Sequence, residues 1–221
     1  MGWDPIWETI FRERTSWGKY PPEELIRFIA QNYYQVENRK DIRILEIGCG
    51  PGGGPSWFVA REGFSFFGID GSQTAIDKAI ERFNANGLNG EFICGPINDL
   101  PWRSETFDCV IDVACLQHNN EADTKEIVRE LYRVLKKGGR HFSLTSKNDC
   151  WGDHTGTRID GTSWLNVTIG PFSGMGTVRF ATRESLVDLY REFRELNLEY
   201  SIRSVNGCQN NISNWILTCT K

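Results

Sequence analysis

Apolar positions along the chain follow two rhythms that take turns. Short apolar runs at 42–47, 64–69, 92–94, 107–113 and 141–145 are long enough for strands and too short for helices. Between them the apolar residues fall at helical spacing. Leu25, Ile26, Ile29, Ala30 and Tyr33 form one face of a helix that Pro21-Pro22-Glu23-Glu24 opens. Gly53-Gly54-Pro55 leads into a short helix ending near Arg61. Ser72 is a good N-cap for a helix carrying Ala75, Ile76, Ala79, Ile80 and Phe83, closed by Asn86-Gly87. A helix over 121–137 shows Ile127, Val128, Leu131, Val134 and Leu135 on one face. Lys136 and Lys137 are expected at its negative end, and Gly138-Gly139 stops it.

Strands that alternate with helices predict a parallel sheet covered on both faces. The alternation fails from 147 to 181, a stretch rich in Gly, Asn, Asp, Thr and Trp with no sustained period. An irregular connection of that length inside a compact domain is usually functional. A helix is expected again from Thr182, with Leu186, Leu189, Tyr190, Phe193 and Leu196 inward. Two strands follow near 198–205 and 214–220, and the turn-rich residues 206–211 join them as an antiparallel hairpin. The expected fold is α/β: a Rossmann-like sheet of seven strands, mostly parallel, with a C-terminal antiparallel hairpin and helices on both faces.

At 221 residues the chain fits a single domain over 1–221. Its composition, 39% hydrophobic and 24% charged, is that of a soluble globular protein. No apolar run reaches the ~18–20 residues that span a bilayer, so no membrane partner is expected. The 25 basic and 29 acidic side chains give a net charge of −4, with Lys and Arg scattered. Phosphate binding leaves a basic footprint, so no nucleic-acid partner is expected either. The seven cysteines show no C-x-x-C spacing, and several lie in apolar runs. They read as reduced thiols of a cytoplasmic protein, a monomer or homodimer whose N-terminus resembles neither a signal nor a transit peptide.

The chemistry concentrates in Ile44-Leu45-Glu46-Ile47-Gly48-Cys49-Gly50-Pro51-Gly52-Gly53. A strand delivers the backbone to a turn bare of side chains, so a ligand can lie against the main chain. Gly48, Gly50 and Gly53 satisfy G-x-G-x-x-G, which leaves an NAD(P)-dependent oxidoreductase open. Three further features point elsewhere. Glu46 stands two residues before the glycines, and Asp70 ends the next strand, where a carboxylate can accept both hydroxyls of a ribose. Asn98-Asp99-Leu100-Pro101-Trp102 lies just before the fourth strand, where a second carboxylate can accept from an adenine amino group. In order and spacing these residues resemble the class I S-adenosylmethionine-dependent methyltransferases, in detail over about residues 40–146. A non-catalytic cofactor-binding protein is the other alternative.

The resemblance implies S-adenosylmethionine as cofactor and assigns roles position by position. Gly48 and Gly50, with Cys49 between them, let the backbone approach the methionyl part. Glu46 orients the cofactor's amino group, directly or through water, or else caps the turn. Asp70 holds the ribose, with Gly71 and Ser72 beside it at a helix start. Asn98, Asp99 and Leu100 line the adenine, and Asp112 ends the fourth strand at the sheet edge where open α/β sheets bind ligands. The N-terminal segment 1–40 is expected as a helical lid, with Trp17 and Tyr20 closing over the cofactor or else pinning a helix.

Methyl transfer from a sulfonium is an in-line displacement in which alignment in a dry pocket does most of the work. A small-molecule acceptor is expected, oxygen ahead of nitrogen. Gln117-His118 follows the fourth strand, where His118 is either the base that takes the acceptor's proton or a buried structural histidine. His141, inside a strand, reads as core. In the substrate-facing insert 147–181, Trp151 and His154 either line the acceptor pocket or belong to a surface loop. Asp112 and Asn148-Asp149 invite comparison with metal-dependent catechol-type enzymes, but the pair is reversed and no metal is expected.

Overall fold

The computed structural model describes residues 3–15 and 17–221. Both faces of its central sheet are covered, which is why the strands read as continuous apolar runs. In β1 (Arg43–Ile47), Ile44 faces one core while Leu45 and Ile47 face the other. The split repeats in β2 (Ser65–Asp70), with Phe66 against Phe67 and Ile69. It repeats again in β4 (Phe107–Val113), with Cys109 and Ile111 against Phe107 and Val110. Helices α2 (Glu23–Tyr33), α3 (Gly54–Arg61) and α4 (Gln73–Ala85) bring Leu25, Phe58 and Phe83 to the first core. Helices α5 (Glu121–Val134) and α6 (Arg183–Leu189) bring Ile127, Leu131 and Leu186 to the second.

The sheet has seven strands in the order β3-β2-β1-β4-β5-β10-β9, where β3 is Glu91–Cys94 and β5 is Leu135–Ser146. Strands β3 to β5 run parallel; β10 (Asn210–Thr220) enters antiparallel between β5 and β9 (Arg194–Val205). The Rossmann-like sheet and its hairpin match the expectation. Two boundaries differ. The helix expected over 121–137 stops at Val134, and Lys136 and Lys137 belong to β5. Leu135 already pairs with Phe107, and Lys136 holds Asp108 at 2.7 Å, so strand partners outweigh helical propensity there. The helix from Thr182 ends at Leu189; Phe193 and Leu196 face the core from a turn and from β9, because Arg194 already pairs with Thr220.

The insert is not irregular throughout. Its residues form a small antiparallel sheet of β6 (Thr157–Arg158), β7 (Ser163–Leu165) and β8 (Thr177–Arg179). Cys150, Val167, Phe172, Val178 and Phe180 make a separate core beneath it. Strands of two or three residues carry too few positions for a period to show. Among the described residues no helix is long and apolar enough to cross a membrane.

The chain before α2 lies across the carboxyl edge of the sheet. Helix α1 (Ile6–Glu13) packs on α4 through Glu8, which accepts from the hydroxyls of Ser72 and Thr74 at the start of α4. Those two bonds, Ser72 first, hold the Glu8 carboxyl below its usual range. Lys78 donates to the carbonyl of Phe11 and Arg82 to that of Trp17 at 2.9 Å, extending the attachment along α4.

Candidate active site

Between β1 and α3 the backbone makes a turn that side chains would block. Gly48 has φ +60 and Gly50 φ +52, a left-handed conformation that favours glycine, and a Cβ on Gly48 would run into Cys115. The turn is tied to β2. The amide of Cys49 donates to Ile69 at 3.1 Å, and that of Gly50 to Asp70 Oδ2 at 2.9 Å. Asp70 Oδ1 accepts from Ser72 at 2.9 Å, while the Ser72 hydroxyl caps α4 by accepting from Ala75. Burial pushes the Asp70 carboxyl up to about 6 against the pull of these two amides. Each oxygen keeps a lone pair for a further donor.

Two cavities open along this edge. The first, about 80 Å³, is walled by Asp70, Gly71, Ile97 and Cys115 beneath Trp3 and Asp4. The second, about 370 Å³, runs over Glu46, Cys49 and Gly50 toward Gln117, and Trp17 and Tyr20 border it. They share Trp7, Phe11, Gly48, Ala114 and His118, so they form one bent site around the glycine turn. At its floor Glu46 is buried and accepts from Ser56 Oγ. Burial, with Asp112 and Asp70 nearby, pushes its carboxyl up to about 8.

Beyond β4 the chain turns sharply on Asp112, which is fully buried. Its Oδ1 accepts from the amides of Cys115 and Leu116 at 2.8 and 3.1 Å, and its Oδ2 from Ser143 Oγ at 2.5 Å. Asp112 was expected against the cofactor; both its oxygens are instead engaged inside the protein, where they shape the 112–118 turn. Gln117 accepts from Ser146 at 2.8 Å through Oε1, so its amide nitrogen faces His118 Nε2 at 3.3 Å. His118 Nε2 is therefore the acceptor, and Nδ1 donates to the carbonyl of Thr177 at 3.1 Å. Burial drives the imidazole down to about 4, so it is neutral. Trp7 meets its ring edge-on at 4.5 Å.

The structure brings Glu46, Gly48, Cys49, Gly50, Asp70, Gly71, Gln117, His118, Trp17 and Tyr20 to the cavities. It leaves others outside. Ser72 acts through Asp70 and the cap of α4. Asn98 donates to Glu126, Asp99 is exposed, and Leu100 is buried in the second core with its amide on Glu130. Ile97 forms the wall in their place, an apolar residue that no carboxylate pattern reveals. Trp151 is tied by its amide to Asn211, and His154 is exposed against Trp164 and Asp153. The insert reaches the cavity instead through Pro171, Phe172 and Met175, because its small sheet turns the loop before β8 inward. Trp7 and Phe11, four residues apart on α1, are the other residues the sequence reading missed; their helical spacing was the available signal. Among the described residues no group of three or more metal-binding side chains assembles.

Residues 44–139 match a family of methyltransferase domains. A methyltransferase of Methanosarcina mazei, described as S-adenosylmethionine-dependent, superposes with a TM-score of 0.68 at 25% identity, over 87% of this chain and 96% of that one. Residues 44–139 therefore form a methyltransferase domain. The chain is also 33% identical over 121 residues to a fatty-acid O-methyltransferase of Mycolicibacterium smegmatis, covering 53% of this chain and 43% of that one. It is 31% identical over 118 residues to norajmaline N-methyltransferase of Rauvolfia serpentina, covering 52% and 39%. It thus spans half or less of the length of these relatives. The donor set suits S-adenosylmethionine: Asp70 offers free lone pairs to the first cavity, and the bare Gly48–Gly50 backbone and the buried Glu46 face the second.

Two outcomes follow from these burials. An unfolded glutamate loses its proton near pH 4.5, whereas folded Glu46 keeps it to about 8. The folded state then binds more protons, so stability falls as pH rises. Asp70 has its midpoint near 6, and His118 and His141, held near 4 in the folded state, differ from the unfolded chain around its midpoint of 6.5. From about pH 7 to 8 Glu46 therefore adds a fall in stability that these groups do not. Urea unfolding of the free protein should show a loss of about 1 kcal/mol across that range, absent in Glu46→Gln. Asp112→Ala leaves three buried donors without partners and should cost about 3–5 kcal/mol in the same assay.

Proposed function

We propose that this chain, as one methyltransferase domain, transfers a methyl group from S-adenosylmethionine to a small-molecule acceptor, with oxygen ahead of nitrogen. The observation that carries the reading is the single bent site in which Asp70, the glycine turn and Glu46 stand in line. S-adenosylmethionine supplies a methyl group already activated on a positively charged sulfur. The protein's part is to hold and align. Asp70 accepts from the ribose hydroxyls, with Gly71 beside it, and Ile97 packs on the adenine. The backbone of Gly48 to Gly50, with Cys49 turned inward, carries the methionyl part. Glu46 gives up its proton to pair with the ammonium.

Residues 3–20 act as the lid that excludes water, with Trp7, Phe11, Trp17 and Tyr20 over the site. The insert provides the acceptor wall. His118 positions that wall through Thr177, and its Nε2 is free to take a proton when the Gln117 amide turns away. Relatives described as acting on oxygen and on nitrogen support a small-molecule acceptor of either kind. Seven free cysteines fit a cytoplasmic setting.

Calorimetric titration tests the cofactor. S-adenosylmethionine should bind and NAD(H) should not; the reverse would end the methyl-transfer reading. Asp70→Ala should weaken cofactor affinity about ten- to a hundredfold, since hydrogen bonds to a charged group are worth about 1.5–3 kcal/mol each. With labelled cofactor, His118→Ala should lower turnover about tenfold and leave cofactor affinity unchanged. A loss beyond about 10²-fold would mark His118 as the base instead.

A further inference from the structure

The second cavity carries information about what it accepts. One wall is the strap, where Trp7, Phe11 and Trp17 follow one another at centroid distances of 5.6 and 5.0 Å, tilted 39° and 43°. The insert lines the same cavity through Pro171, Phe172 and Met175. Both segments present large apolar faces to it, which rings fill by stacking and by sulfur contact. The amide, imidazole and carboxyl side chains between the walls already have partners, while Trp17 Nε1 is a buried donor without one. Gln117 is taken up by Ser146 and His118, His118 by Thr177, and Glu46 by Ser56. The Cys49 thiol faces the carbonyl of Gly50.

Charge on the acceptor would be poorly served here. Among the described residues that line the cavity there is no Lys or Arg, so an entering anion would lose water with no cation to replace it. Glu46, the carboxyl in the cavity, already accepts from Ser56 and is committed to the cofactor's ammonium, so it offers an acceptor cation no free charge.

We propose that the acceptor enters this cavity as an uncharged, flat, apolar ring system clasped between the aromatic strap and the insert. The inference rests on the methyl-transfer reading for the identity of the site and adds the class of molecule that fits it. Specificity then comes from shape and desolvation, with Trp7 and Phe172 as apolar plates.

One ring system with three end groups tests this. The protein saturated with S-adenosylhomocysteine is titrated calorimetrically at pH 7 with 2-naphthol, 2-naphthoate and 2-naphthylmethylammonium. The neutral naphthol should bind at least about tenfold tighter than either ion. Met175→Lys, which places a cation on the insert wall, should reverse the order of naphthol and naphthoate while S-adenosylhomocysteine binds as before. Either ion binding as tightly as naphthol to the unaltered protein would overturn the inference, as would no binding of naphthol. An unchanged order in Met175→Lys would also overturn it, by placing the ligand elsewhere. Failure to hold S-adenosylhomocysteine is a separate result, which removes the methyl-transfer reading and the acceptor class with it.

Discussion

The Asp70 carboxylate ties three pieces of chain together at the edge of the sheet. It ends β2, accepts from the glycine turn after β1, and accepts from Ser72 at the start of α4. Glu8 of the strap then docks on the same helix start. A single buried acid therefore sets the turn, the helix and, one step further out, the roof over the site. Its charge also faces the first cavity. Shape and recognition depend on the same two oxygens, and the raised Asp70 pKa measures how far burial has been carried to achieve this.

Glu46, Asp70 and Asp112 are three buried acids on neighbouring strands, each handled differently. Asp112 is satisfied by three donors and turned inward. Asp70 is satisfied by two amides and open on one side. Glu46 has one hydroxyl partner and holds its proton. The series runs from a structural anchor to a buried acid with a single hydroxyl partner. His118 completes the set as a neutral ring whose two nitrogens are both assigned, which gives the junction of the two cavities a fixed, uncharged wall.

The sequence was most legible where chemistry and backbone geometry coincide. Gly48 and Gly50 were readable because a left-handed turn needs glycine, and Glu46 and Asp70 because acids at the ends of neighbouring strands stand beside that turn. Asp99 misled for a related reason: an acid near the adenine was sought, while the wall is the apolar Ile97 and Asp99 faces solvent. In the insert, Trp151 and His154 drew attention by type. The residues that reach the cavity are Pro171, Phe172 and Met175, whose direction depends on a three-stranded sheet too short to leave a period. The ends of α5 and α6 were misjudged where strand partners distant in sequence, at Phe107 and Thr220, claimed residues that local propensity gave to helices.

The place of β10 has a consequence for how the chain assembles. Every strand from β3 to β5 finds its neighbour among residues already made, so that half of the sheet forms as the chain emerges. The sheet edge at β5 then stays bare while the insert, α6 and β9 are synthesised, and β9 itself has no strand to pair with. Both wait for residues 210–220, which bond to β5 on one side and β9 on the other. Until then two unpaired edges are exposed together, the condition under which strands find partners in other molecules. Arrival of the last strand closes both edges in one event. The growing chain is therefore most vulnerable to aggregation during the making of residues 147–209.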